Sequence, residues 1–480
     1  MSKILNKEGY LLKKSDFTKK DIIKIKKELT VEPKITFKNH QQTNTDPIRF
    51  TVFSEDKNYL SIPKFYGLQK FGDPDENHEI TGEKINVKFN GEPRDNQKPI
   101  IDKTLEYMDD KGGGLICAGC GVGKTIMAIY IACYYQVKTL IIVHKTFLMN
   151  QWIERIKEFT NTEKIGIIQQ KKSEVDGNDF VIGMVHSIAK DKYDYDIFKD
   201  FGLVIFDEAH RAPSEYFSKA LPIIACKKSL ALSATPKRAD GMEKVLYWYF
   251  GEIAYKAPPN KNKRVMVHLY NYDLKHKNFA EARLPFTGEV NRPRTINRIV
   301  KLKKRNKFIL DTLEEVMQED GRKVLILSDR IEHLNTLYEM ISKQLNVSCD
   351  YYIGGMTQKK LNESSKCTII LGTYGMASEG LDIPSLNTLI MATPRREVEQ
   401  SIGRIIRKVE DTQPIIIDIV DMLPSLSRQG LHRRKLYNKL EYQIKIFEVE
   451  NNNIMNEING SNDNTKCYKP IQNEDVDFLD

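Results

Sequence analysis

The sequence predicts an α/β protein with two parallel sheets, preceded by a smaller N-terminal region of different character. Three observations carry that prediction. Short apolar runs alternate with helical stretches over residues 90–255 and again over 301–425. The runs are apolar at successive positions, as strands covered by helices on both faces are. One run leads through a glycine-rich loop into Lys124-Thr125 and an apolar stretch, the strand–loop–helix order of a phosphate site.

A chain of 480 residues has room for roughly three domains. Hydrophobic residues make up 40% and charged residues 29%, enough for buried cores beneath a highly charged surface. The net charge of +9, from 74 basic and 65 acidic residues, permits a nucleic-acid partner without requiring one. The seven cysteines are odd in number and scattered, as expected of reduced intracellular thiols rather than a disulfide framework. Cys117 and Cys120 form a C-x-x-C, but no second pair follows at zinc spacing and the pair falls inside the glycine loop. No apolar stretch approaches the ~20 residues needed to span a bilayer. The opening MSKILNKEGYLLKK lacks the apolar core and cleavage site of a secretory signal. The expectation is a soluble intracellular protein, nuclear or cytoplasmic, with no membrane partner.

Residues 1–89 are expected to form an accessory domain. Thr18-Lys19-Lys20-Asp21 has the form of a capping box before Ile22, Ile25 and Leu29, so a short basic helix follows it. Extended pieces are expected near 48–53 and 59–62. In 90–255 the strands are Gly114–Cys117, Thr139–Val143, Phe180–Val185, Leu203–Phe206 and Ser229–Ser233. Residues 256–300 open with Pro258-Pro259-Asn260-Lys261 and have the composition of a linker, with one possible strand at Val265–Tyr272. In 301–425 the strands are Val324–Leu327, Asp350–Ile353, Thr368–Gly372, Thr388–Met391 and Pro414–Val420. A C-terminal extension over 426–450 combines a basic helical stretch, Leu431–Leu440, with an alternating run, Tyr442–Val449. Residues 451–480 are polar, Asn-rich and acidic at the tip, the composition of a disordered tail.

Four segments carry chemistry. In Ala118-Gly119-Cys120-Gly121-Val122-Gly123-Lys124-Thr125, the glycines let backbone N–H groups curl around phosphate oxygens at a helix N-terminus. Lys124 would reach the β- and γ-phosphates of ATP, and Thr125 would ligate Mg2+. Asp207-Glu208-Ala209-His210 closes the run Leu203–Phe206, placing two carboxylates at the edge of the sheet where ligands of such folds bind. Asp207 suits a Mg2+ ligand and Glu208 a base that orients the attacking water. His210 is either a partner of the Ser233 segment or a turn cap. Upstream, Arg94 and Gln97 precede the loop, and the Gln97 amide could pair with adenine. Far downstream, Gln400-Ser401-Ile402-Gly403-Arg404-Ile405-Ile406-Arg407 spaces two arginines three apart, one helical face if the stretch is a helix. Two guanidiniums so placed could fork onto phosphate oxygens.

Together these segments resemble the superfamily-2 helicases over about residues 90–425. Thr146-Phe147-Leu148 with Asn150-Gln151-Trp152 resembles motif Ia, and Val185-His186-Ser187 motif Ib. Ser233-Ala234-Thr235-Pro236 resembles motif III, Leu325–Asp329 motif IV, and Thr373–Asp382 motif V. The resemblance implies two tandem RecA-like domains and an ATP-dependent helicase or translocase. It implies Thr146, Ser187, Ser328 and Thr373 on nucleic-acid phosphates. It also implies Gly380 and Asp382 at the seam with Asp382 near the ribose, Gln400 by the nucleotide, and His210, Ser233 and Thr235 coupling hydrolysis to movement. Arg238-Ala239-Asp240 and the Gln-Trp pair resemble the XPB-type group, which has Arg-Glu-Asp at the former position, so Ala239 departs from it. The layout is also similar to the transcript-release helicases of poxviruses and other large DNA viruses. These likenesses favour DNA over RNA, a link to the transcription machinery, and a virion as a further possible location.

Overall fold

A computed structural model describes residues 2–33, 49–119, 121–190, 192–238, 240–258, 261–379, 381, 383–406 and 412–459. The chain divides into two compact units, 1–258 and 259–480.

The first unit is built on an eight-stranded sheet. Its strands are β1 (Gly113–Cys117), β2 (Thr139–Val143), β3 (Ile165–Gln169), β4 (Lys172–Ser173), β5 (Phe180–Met184), β6 (Leu203–Phe206), β7 (Lys228–Ser233) and β8 (Ile253–Lys256). They lie in the order β4-β3-β5-β2-β6-β7-β1-β8. All neighbours are parallel except the β3–β4 hairpin. Parallel pairing puts the C-terminal ends of β1, β2, β5, β6 and β7 along one edge. Strands β1, β2, β5 and β6 are buried at every residue, which is why they read as continuous apolar runs. Their side chains alternate between two cores. Ile116, Ile141, Ile205 and Leu232 pack with Met127 and Ile131 of the helix Lys124–Tyr135 on one face. Leu115, Leu140, Val204 and Phe206 face the other way.

That second core is shared with the N-terminal region. Leu5, Tyr10, Leu12, Leu60 and Ile62, from a five-stranded sheet of its own, belong to the same cluster. The helix Lys64–Phe71 lies so close to the sheet that a Cβ on Gly67 would come within 2.3 Å of the Tyr10 side chain. Tyr66 meets Trp248 edge-on at 5.3 Å between ring centroids. The basic helix spans Lys19–Glu28 and starts with the expected capping box, Thr18 and Asp21 each accepting from the other's backbone N–H.

The second unit holds β9 (Met266–Asp273), β10 (Val324–Leu327), β11 (Cys349–Tyr352), β12 (Ile369–Gly372), β13 (Thr388–Met391), β14 (Ile415–Asp421), β15 (Gln443–Glu450) and β16 (Asn453–Asn459). Their order is β11-β12-β10-β13-β14-β9-β15-β16, parallel throughout except for β15–β16. Three expectations from the sequence are corrected here. The stretch 256–300 is not simply a linker, because β9 runs between β14 and β15 inside the sheet. The extension 426–450 is integral, contributing most of the helix Pro424–Lys439 and all of β15. The segment expected as a tail begins with β16, held through backbone pairing that makes no demand on side-chain polarity. Residues 460–480 of that expected tail lie outside the described residues.

Two buried ion pairs flank β14. Arg305 Nε and Nη2 donate to the two oxygens of Asp421 at 2.6 and 2.9 Å, with both side chains wholly buried. Arg433 makes the same fork to Asp418 at 2.9 and 2.7 Å, and Tyr437 also donates to Asp418 at 2.8 Å. Asp418 and Asp421 are three apart on a strand, hence on opposite faces. The remaining donor of each arginine holds a carbonyl in the segment after β13: Arg305 that of Ala392 at 2.9 Å, Arg433 that of Arg395 at 2.5 Å. Tyr374 donates to the Thr393 carbonyl between them at 2.7 Å. This braced segment leads directly into Gln400 and Arg404. Among the described residues, no helix is long and apolar enough to cross a membrane.

Candidate active site

The loop after β1 and the acidic pair after β6 lie at the same edge of the first sheet. Gly121 and Gly123 take positive φ, 82° and 90°, which bends the loop into the helix starting at Lys124. Lys124 Nζ donates to the carbonyls of Ala118 at 2.8 Å and Gly119 at 3.2 Å, so its ammonium lies folded across the loop. Thr125 follows in the first turn of the same helix. Cys120 lies outside the described residues. No group of three or more His, Cys, Asp or Glu that could hold a metal occurs among the described residues.

Gln97 is buried and occupied. Its Oε1 accepts from the backbone N–H of Arg94 at 3.0 Å, and its Nε2 donates to the Val122 carbonyl at 2.9 Å. The expected adenine partner also bridges the preceding turn and the phosphate loop, while the Arg94 side chain is exposed. A Cβ on Gly123 would come within 2.2 Å of Gln97 Nε2. Gly123→Ala therefore has to break the Gln97–Val122 bond as well as strain a left-handed φ. It is expected to abolish ATP binding and to lower the midpoint of thermal unfolding by several degrees; titration with a fluorescent ATP analogue beside a thermal melt checks it.

Asp207 is buried, with one oxygen on each of two donors. Trp152 Nε1 donates to Oδ2 at 2.9 Å, and the Glu208 N–H donates to Oδ1 at 2.9 Å. Burial pushes the Asp207 carboxyl above its ordinary range and the neighbouring Glu208 charge adds to this, opposed by the Trp152 bond and the Lys124 ammonium. Glu208 sits at φ 51°, a left-handed conformation that costs on the order of 1 kcal/mol for a residue with a Cβ. Such strain persists where the surroundings impose it. Among the described residues its buried Oε2 has no hydrogen-bond partner, although His210 Nδ1 lies 3.3 Å away in ion-pair range.

His210 joins the acidic pair to β7. Its Nδ1 is also 3.3 Å from Ser233 Oγ, which in turn accepts from the Thr235 N–H at 3.2 Å. Of the two readings open for His210, the geometry places it against the Ser233 segment. Arg238 forks onto Asp240 and donates to the His210 carbonyl, and this pairing holds the Asp240 carboxyl below the usual range.

Other predicted residues are dispersed. Thr146 opens the helix Thr146–Phe159 and accepts from Gln169 Nε2 at 3.3 Å, while Ser187 Oγ accepts from the Gln170 N–H at 2.9 Å. The β3–β4 hairpin therefore connects these two hydroxyls. In the second unit Thr373 precedes the helix Tyr374–Glu379 and accepts from the Met376 N–H at 3.4 Å. Ser328 is a correction: it is wholly buried, with its hydroxyl on His333 Nδ1 at 3.1 Å and on the Arg330 N–H at 3.1 Å, and so presents nothing to a nucleic-acid strand. The arginine face is corrected too. The helix covers only Glu399–Ile402, and Arg404 follows in a turn with its Nε on the Ala377 carbonyl at 2.7 Å. Gln400 is half-buried in that helix. Arg407, Gly380 and Asp382 lie outside the described residues. Sequence reasoning missed the bond from Trp152 to Asp207; the only signal for it was the Gln-Trp pair.

The glycine cradle, the lysine over it and a buried glutamate oxygen without a hydrogen-bond partner fit a nucleotide phosphate with its metal. Residues 90–238 match the family described as "Type III restriction enzyme, res subunit", and residues 305–409 match "Helicase conserved C-terminal domain". Two RecA-like units with this sequence signature define an ATP-dependent helicase, and the chain belongs to the superfamily-2 helicases. It is 38% identical over 452 residues, covering 92% of this chain and 86% of that one, to "Putative ATP-dependent RNA helicase L396" of Acanthamoeba polyphaga mimivirus. It is 29% identical over 385 residues to "Putative helicase 161L" of Invertebrate iridescent virus 6, covering 76% and 85% of the two chains. The fold is shared with the solved structure "ATP-dependent Type ISP restriction-modification enzyme LlaBIII bound to DNA", at 15% identity and a TM-score of 0.54 over 75% of this chain and 31% of that one.

Proposed function

We propose that the chain moves along duplex DNA at the expense of ATP, in transcription or DNA metabolism. The observation that carries this reading is the single sheet edge shared by the Lys124 loop, the Asp207–Glu208 pair and the His210–Ser233 contact. In this proposal Lys124 and the loop N–H groups hold the phosphates, and Thr125 and Asp207 hold Mg2+. The metal supplies charge neutralisation at the phosphates. Glu208 orients and deprotonates the attacking water. Arg404 and Arg407 act on the charge of the transferring phosphoryl group, with Gln400, Gly380 and Asp382 in nucleotide-contacting roles. The His210–Ser233–Thr235 chain carries the state of the acidic pair to β7. Thr146, Ser187 and Thr373 hold strand phosphates, which fixes position without reading sequence.

The preference for DNA is supported by the Arg238–Asp240 pair, which resembles the XPB-type group despite Ala239. The mimivirus relative carries the name of an RNA helicase, and that favours a second reading, unwinding of RNA. A duplex-DNA translocase that displaces bound protein without separating strands is a variant of the first. The deciding experiment measures ATPase rate with single-stranded DNA, duplex DNA and RNA in parallel at one stated salt concentration, since phosphate binding is salt-dependent. Stimulation by duplex DNA is the expected result. Stimulation by RNA alone would replace the first reading with the second, and triplex displacement beside an unwinding assay separates the variant.

A further inference from the structure

We infer that Trp152 is a positioning residue that holds the Asp207 carboxylate for its metal. This rests on the reading of Asp207 given above. The side chain sits among Leu148, Met149 and Ile156 and is 1% exposed, which by itself describes an ordinary core tryptophan. A core tryptophan, however, brings an N–H that must find an acceptor, and most such acceptors are backbone carbonyls. Here the acceptor is the carboxylate at the end of β6, reached from the helix Thr146–Phe159 at 2.9 Å. With the Glu208 N–H on the other oxygen, Asp207 is gripped on both oxygens, and rotation of its carboxylate plane would break at least one bond. A carboxylate has about four lone-pair sites, so these two donors leave others for a metal or its water. Trp152 thus sets orientation while leaving lone pairs on both oxygens open to a metal or its water. Phenylalanine fills much of the same volume and lacks the N–H.

The test uses the full chain and a fluorescent ADP analogue, titrated with Mg2+ and in EDTA. In wild type, Mg2+ should tighten nucleotide binding. In Trp152→Phe, affinity in EDTA should stay within about twofold of wild type, while apparent Mg2+ affinity falls by at least about tenfold, the usual effect of losing a partner behind a metal ligand. Ile156→Val, a packing change on the same helix face without a hydrogen bond, should keep wild-type Mg2+ dependence. A wild-type response in Trp152→Phe, or an equal loss in Ile156→Val, would overturn the inference. Absence of any Mg2+ effect in wild type would instead overturn the assignment of Asp207 itself. Should Trp152→Phe not fold, Trp248→Phe leaves Trp152 as the sole indole, since the chain has two tryptophans. Resonance Raman of its N–H should then report a weaker hydrogen bond on adding Asp207→Asn, and an unmoved band would overturn the inference.

Discussion

Glu208→Gln is expected to bind ATP as wild type does and to turn it over at least on the order of 10²-fold more slowly, the range set by loss of a general base. The substitution keeps the volume and the hydrogen-bonding reach of the side chain and removes only the charge and the basic lone pair. Among the described residues Oε2 has no hydrogen-bond partner, and His210 lies in ion-pair range of it. The left-handed backbone at φ 51° is a property of the turn after β6 and stays in place, because glutamine tolerates it as glutamate does. His210 loses its ion-pair partner, but its contact with Ser233 Oγ remains. Equilibrium binding of a fluorescent ATP analogue beside nucleic-acid-stimulated ATPase separates the two quantities. Rapid stimulated turnover in the variant would remove Glu208 from the role of base.

What could be read from the sequence follows from where each element lies in its sheet. Strands β2 and β6 are buried on both faces, so all their residues but Thr139 are apolar, and such runs stand out. Strand β3 alternates buried and half-buried positions and includes Gly166, and β8 is only partly buried beside β1; neither has the uniform apolar run that marked the others. Strand β9 was set in a stretch with linker composition because its flanks are polar, although its own residues are mostly buried. Strand β16 has an Asn-rich sequence that burial cannot explain, since its Ile454, Met455 and Ile458 are exposed; backbone pairing with β15 holds it, with the Lys445–Glu457 ion pair alongside at 3.4 Å. The site divides in the same way. The phosphate loop and the Asp-Glu pair are local, so spacing reveals them. The clamp of Gln97 on Val122, the burial of Ser328 and the bond from Trp152 to Asp207 join residues brought together only by packing. The arginine spacing misled because one helical face presupposes a helix, and that helix ends at Ile402.

Arg407→Ala is expected to lower the rate of hydrolysis by on the order of 10³–10⁵, with nucleotide affinity kept within a few-fold. In the proposed mechanism the guanidinium meets charge that develops only as the phosphoryl group transfers, so its loss costs rate and little binding. Lysine should not restore activity, because a single ammonium cannot fork onto two oxygens. Arg404→Ala gives a different expectation. Its Nε is committed to the Ala377 carbonyl, in the helix that follows Thr373, so its removal also loosens that contact. Hydrolysis should fall there too, together with the affinity for nucleic acid, because Thr373 is a proposed strand contact. Single-turnover hydrolysis with saturating ATP, read beside nucleotide and nucleic-acid titrations, distinguishes the two arginines. Hydrolysis that persisted in Arg407→Ala would remove Arg407 from the transition state and leave Arg404 to carry the role. Hydrolysis that persisted in the double variant Arg404→Ala/Arg407→Ala would overturn the arginine assignment altogether, and the coupling of hydrolysis to movement would then have to run through His210 and Ser233.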